Sequence, residues 1–244
     1  MPPRGPLPPH LLRRPSPPLG PLHRAFSLPT FSIPGLPAAT TQTIQARRTL
    51  PYPPPQVYAL IADVDSYATF LPFCTSSRVT RLSPPDPSSG RRWPTQADLT
   101  VGWGPVSESY TSRLYCVPGE VVEAVSGAAD TTIPEATLRR HGLGPWGAHA
   151  AAVGAAGGRQ QATAGVFDSL LTRWAVHPVA ARGGGVGRAG EATEVTLSIR
   201  YRFANPAYGL AVGRVADDMV GMMIEAFEKR AKQMYDGQEA GRAS

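Results

Sequence analysis

The run Val106, Glu108, Tyr110, Ser112, Leu114 and Cys116 puts a carboxylate, a phenol and a thiol on one face of an extended segment. If that face looks inward, Glu108 or Tyr110 can hydrogen-bond an oxygen of a bound ligand. If it looks outward, Glu108 pairs with an arginine such as Arg113 or Arg173. Asp168, Ser169 and His177 have the residue types of a nucleophilic triad. However, Asp168 and Ser169 are neighbours in a predicted strand and point to opposite faces. His10 and His23 lie in a proline-rich leading stretch, His141 and His149 in an unpatterned one, and His177 at a strand end, so the histidines offer no convergent metal ligands. Cys74 and Cys116 lack C-x-x-C spacing and read as reduced, half-buried thiols. This reading predicts neither a catalytic group nor a metal.

Softer chemistry is more conspicuous. Met219, Met222, Met223 and Met234 fall in one predicted C-terminal helix, where unbranched, polarizable side chains can either fill an irregular core or adapt to a greasy ligand. The apolar stripe of that helix runs Tyr208, Val212, Val215, Met219, Met222, Met223 and Phe227, with Asp217, Asp218, Glu225, Glu228 and Lys229 outside it.

The elements that must position these residues follow from periodicity. Thr43 to Leu50 suits an edge strand, and Val57, Leu60, Ile61 and Val64 share a helical face behind Pro53, Pro54 and Pro55. A short helix is expected from Ser66 to Leu71. Val79 to Leu82 reads as a short strand. Thr95 to Trp103 alternates with period two, and Val106 to Cys116 and Val121 to Ser126 follow after turns. Phe167 to Val176 carries Trp174 on a face with Leu170, and Val195, Leu197, Ile199, Tyr201 and Phe203 alternate with polar neighbours before the long helix. Strands run together with helices at the ends, which predicts an α+β fold with an antiparallel sheet. Residues 127–165 and 180–190 show no apolar period and are expected to be disordered insertions in a single domain spanning 43–235, with 236–244 a C-terminal tail.

The chain has 244 residues and a net charge of +6, with 22 of its 24 basic residues arginine. Arg4, Arg13, Arg14 and Arg24 lie in the first 45 residues, which have no acid, so the rest carries only about +2 and does not suggest a nucleic-acid partner. No Asp or Glu precedes Asp63, and Arg with Ser and Thr dominates the charged and hydroxyl residues of the leading segment. Residues 1–42 therefore read as a mitochondrial transit peptide, although twelve prolines in the first 37 residues would break much of a targeting helix and also fit a plain disordered tail. No run of apolar residues is long enough to span a bilayer.

Pro54-Pro55-Gln56-Val57-Tyr58-Ala59-Leu60-Ile61-Ala62-Asp63-Val64 and Phe70-Leu71-Pro72-Phe73-Cys74 resemble the opening of the mitochondrial coenzyme Q-binding proteins, in the START and polyketide cyclase-like superfamily. Gly102 to Ser112, Phe167 to Trp174 and Glu225-Ala226-Phe227-Glu228-Lys229-Arg230-Ala231 match later landmarks in order. The resemblance implies a helix-grip fold: a curved antiparallel sheet wrapped around a long C-terminal helix, with an apolar tunnel between them. It implies ubiquinone as bound ligand, no catalytic cofactor, and a carrier or chaperone role in respiration and ubiquinone biosynthesis. The place implied is the matrix side of the mitochondrial inner membrane, held peripherally, with biosynthetic intermediates and a ubiquinone-biosynthesis complex as further partners. On this reading Phe70, Leu71, Phe73, Trp103, Tyr110, Trp174, Met219, Met222 and Met223 are the tunnel candidates. Bacterial members of the superfamily that associate with ribosomes, and its cyclase enzymes, supply the alternative functions.

Overall fold

The computed structural model describes residues 40–86, 89–103, 106–143, 166–180, 191–205 and 216–240, with the side chains of 103, 106, 180, 191, 216, 217 and 237–240 outside the described set. Among the described residues, β1 (Gln42–Leu50), β2 (Cys74–Leu82), β3 (Pro94–Trp103), β4 (Val106–Val117), β5 (Val121–Gly127), β6 (Phe167–Ala180) and β7 (Glu191–Phe203) form one curved sheet. Every pairing is antiparallel, in the order β1-β7-β6-β5-β4-β3-β2. Helix α1 (Pro54–Ala62) and a 3-10 helix (Val64–Thr69) carry the chain from one edge strand to the other. Helix α3 (Ala216–Ala240) packs against β1, β7 and α1, and a short α2 (Glu135–Arg140) follows β5.

The period-two pattern places the core. Ala97, Leu114, Cys116, Val122, Trp174, Val176, Val195 and Leu197 point to the helix side of the sheet and are buried with Val57, Leu60 and Ile61 of α1 and Val220, Ile224 and Phe227 of α3. Proline at the first turn of α1 costs no hydrogen bond, because the leading N–H groups of a helix have no intrahelical acceptor. The far end of α3 is latched to the start of the domain. Tyr52 donates to Asp236 Oδ1 at 2.7 Å, and Tyr235 donates to the Gln56 carbonyl at 2.8 Å. Helix α3 thus runs to Ala240, past the boundary expected at 235.

The expected insertion at 127–165 is corrected in its first part. Residues 128–143 fold onto the sheet's outer face, where Ile133 and Leu143 are buried with Tyr115, Val117, Val121, Val125 and Leu171. Their apolar residues are too widely spaced to show a period, so only the tertiary packing reveals them. The anchor is Glu123, fully buried, which accepts from the Thr132 N–H at 3.0 Å, from both the Thr131 and Thr132 hydroxyls, and from Arg173 at 2.7 Å. Gly127 sets the corner with φ +61, and a Cβ there would meet the Asp168 carbonyl oxygen at 2.3 Å. Residues 144–165 and 181–190 lie outside the described residues.

Candidate functional site

Between the sheet and the start of α3 lies a cavity of about 190 Å³. The strands supply alternate residues to its floor: Leu99 and Val101 from β3, Tyr110, Ser112 and Leu114 from β4, Val122, Ala124 and Ser126 from β5. Leu170, Thr172 and Trp174 of β6 and Ile199, Tyr201 and Phe203 of β7 continue it. Met219 and Met223, one helical turn apart, form the roof, and Tyr67, Leu71, Pro72, Phe73 and Cys74 form a side wall. Phe73 holds φ +65, a strained conformation for a non-glycine residue, and its carbonyl accepts from Gly102 N–H at 2.8 Å. The wall loop is thereby tied to β3.

Aromatic rings close one end. Phe227 contacts Trp174 at 4.4 Å, Phe70 at 5.0 Å and Tyr67 at 5.4 Å between ring centroids, in tilted or edge-on geometries that aromatic pairs favour. Phe167, Tyr201 and Phe203 cluster at another part of the wall, with Phe167 and Phe203 stacked at 5.2 Å.

No Asp, Glu, Lys, Arg or His is among the described lining residues. The polar side-chain atoms there are hydroxyls, one thiol and the Trp174 indole N–H. Tyr67 donates to the Ile61 carbonyl, Tyr201 donates to Gln42 Oε1 at 2.9 Å, and Ser112 and Ser126 bond to each other at 2.8 Å. Burial raises Tyr110 and Tyr67 above the usual phenol range and Cys74 above the usual thiol range, so all three stay protonated at neutral pH.

Of the residues proposed from sequence, Leu71, Phe73, Tyr110, Trp174, Met219 and Met223 line the cavity. Phe70 does not. It packs edge-on against Tyr67 and Phe227, with the Arg230 guanidinium over its ring at 5.8 Å. Met222 is 37% exposed, because one residue of helix rotates the side chain by about 100° from Met223. The Trp103 side chain lies outside the described set. Glu108 pairs with neither Arg113 nor Arg173; its Oε1 accepts from the Val166 N–H at 3.1 Å. Arg173 is held by Glu123, and Arg113 donates to the Ala129 carbonyl. Asp168 accepts from Arg202, and His177 is exposed, so the triad does not assemble. Among the described residues no three of His, Cys, Asp and Glu converge on a metal position. Sequence reasoning missed the floor residues Leu99, Ile199, Tyr201, Phe203, Ser112, Ser126 and Thr172, yet their period-two register with Tyr110 and Trp174 was the signal that could have found them.

A curved antiparallel sheet gripping a long C-terminal helix over an uncharged chamber defines the helix-grip class of protein. Residues 50–228 match the family described as polyketide cyclase / dehydrase and lipid transport, and the chain belongs to that family. It is similar to the mitochondrial coenzyme Q-binding protein coq10 of Schizosaccharomyces pombe, 28% identical over 77% of this chain and 85% of that protein. It is also similar to the ribosome association toxin RatA of Pseudomonas aeruginosa, 26% identical over 79% of this chain and 96% of the toxin. Among solved structures, a START superfamily protein from Mycobacterium smegmatis matches with TM-score 0.51 and 14% identity, covering 79% of this chain and 98% of that one. An aromatase/cyclase from Streptomyces sp. R1128 matches with TM-score 0.51 and 12% identity, over 80% and 95%. At these identities the structural likeness speaks for the fold.

Proposed function

We propose that this protein binds ubiquinone in the chamber and serves as a lipid carrier or chaperone for respiration and ubiquinone biosynthesis. The supporting observation is the uncharged chamber itself, together with the relatives named for coenzyme Q binding in four organisms. Size sets how the ligand sits. An engineered cavity of about 150 Å³ in another protein holds benzene, so the 190 Å³ here accepts a substituted ring and little more. Each five-carbon isoprene unit left in water forgoes roughly 4 kcal/mol at about 0.8 kcal/mol per CH₂. A protruding tail therefore stays in lipid, and the protein works peripherally at a membrane surface, on this reading the matrix side of the mitochondrial inner membrane. Among the described residues no helix is long and apolar enough to cross a membrane. Residues 1–42 act as the targeting segment, and biosynthetic intermediates with the same ring and the complex that makes them are the further partners.

Leu71, Phe73, Tyr110, Trp174, Met219 and Met223 are the ligand contacts in this reading, with Trp103 at the end of β3 near them in sequence register. Lipid extraction and mass spectrometry of the purified protein are expected to recover ubiquinone at near-stoichiometric amount. Protein that carries none, and takes none from liposomes, overturns the proposal. The similarity to a ribosome association toxin favours a second reading, ribosomal-subunit binding, and co-sedimentation with mitochondrial ribosomes in place of lipid uptake is its signature.

A further inference from the structure

The floor of the chamber is mostly apolar, and besides Thr172 and Tyr201 it carries a short polar band crossing β4 and β5. Ser112 and Ser126 face each other in register there, with 1% and 8% of their surface exposed. Two hydroxyls joined by one hydrogen bond have used one hydrogen, and the second has no acceptor among the described residues. Tyr110, two positions from Ser112 on the same face of β4, has a phenol with no hydrogen-bond partner among the described residues. Packing does not account for this band. Leu99, Leu114, Val122 and Leu170 around it show that apolar side chains fill such positions.

We infer that Tyr110 and the Ser112–Ser126 pair form a two-point subsite for a ring bearing an acceptor oxygen at each end, a 1,4-quinone headgroup. The inference rests on the chamber being the quinone site and goes further by fixing the ring's orientation. Two residues of strand set the Tyr110 and Ser112 Cα atoms about 7 Å apart on one face, and the longer tyrosine carries its hydroxyl deeper into the chamber than the serines do, so the two donors reach different parts of a bound ring. One carbonyl accepts from Tyr110, the other from the free hydroxyl of the serine pair. Met219 and Met223 cover the ring from the helix side. Because burial keeps Tyr110 protonated, its role as donor holds across the physiological pH range.

The test uses the full chain, a ubiquinone with a two-isoprene tail carrying ¹³C at each ring carbonyl in turn, and a benzene with the same tail. Infrared difference spectra of the bound quinone read each carbonyl directly. Both stretches are expected to shift to lower frequency in the wild-type complex. Tyr110→Phe releases one carbonyl, and the double change Ser112→Ala with Ser126→Ala releases the other. Each weakens quinone binding about tenfold and leaves the tailed benzene unaffected. Unshifted carbonyls in the wild-type complex, or variants that hold the quinone as tightly as wild type, overturn the subsite while chamber binding stands. A wild-type protein that takes up neither probe overturns the chamber reading and the subsite with it. If a variant fails to fold, the wild-type spectra alone decide.

Discussion

Single side chains separate lining from packing in this chamber. Met223 and Met222 are adjacent in sequence, yet one faces the cavity and the other is 37% exposed. Met223→Gln keeps the length and puts an amide into an uncharged wall, at a cost of about 1–3 kcal/mol that should weaken ubiquinone binding roughly tenfold or more. Met222→Gln is expected to leave binding within about twofold, as measured by ligand titration on both purified variants. Tyr67 has a structural task, since its hydroxyl satisfies the Ile61 carbonyl where α1 ends. Tyr67→Phe strands that buried oxygen and should lower unfolding free energy by about 1–3 kcal/mol in chemical denaturation. The methionine stripe was legible as a face in the sequence, but its phase was not: a helical period tells which residues cluster, and only the packed partner tells which edge of the cluster looks inward. The serine pair was illegible for another reason, because a hydroxyl among apolar residues carries no periodic signal of its own.

At the scale of elements, the strands were the most readable part. In β7, Val195, Leu197, Ile199, Tyr201 and Phe203 all face the helix side, as their alternation requires. β2 begins at Cys74, earlier than Val79, since Thr75, Ser76 and Ser77 lack the apolar alternation of a half-buried strand; Ser76 and Ser77 are set in the edge by pairing with β3, and the Ser77 hydroxyl donates to the Val64 carbonyl. The outer layer at 128–143 escaped notice because a buried carboxylate, and not a run of apolar residues, organises it. Glu123→Ala removes four hydrogen-bond acceptances at once and leaves Arg173 without its carboxylate partner. The expected loss is about 3–5 kcal/mol, read as a lower Tm. Gly127→Ala tests the corner beneath that layer. The left-handed φ and the 2.3 Å approach to the Asp168 carbonyl predict a loss of about 1–3 kcal/mol, with ligand affinity unchanged once the protein is folded.

At the scale of the whole molecule, five buried phenols and thiols are shifted in the same direction. Burial pushes the Cys116 thiol up to about 12 and raises Cys74, Tyr58, Tyr67 and Tyr110. A raised folded-state pKa means the fold favours the protonated form, so this stability is complete below the unfolded thiol value near 9 and is lost as pH rises toward 12. Thermal melts are expected to show Tm falling steadily above about pH 9, and Cys116→Ala should flatten the thiol's part of that fall. A Tm independent of pH in that window would contradict the burial assigned to these groups. The topology has a further effect in time. β1 pairs with β7, joining Gln42 to Tyr201, and Tyr52 is latched by Asp236. The first strand therefore has no neighbour in the sheet until β7 has been made, and contacts so distant in sequence form slowly. The seam between β1 and β7 is therefore among the last parts of the sheet to close.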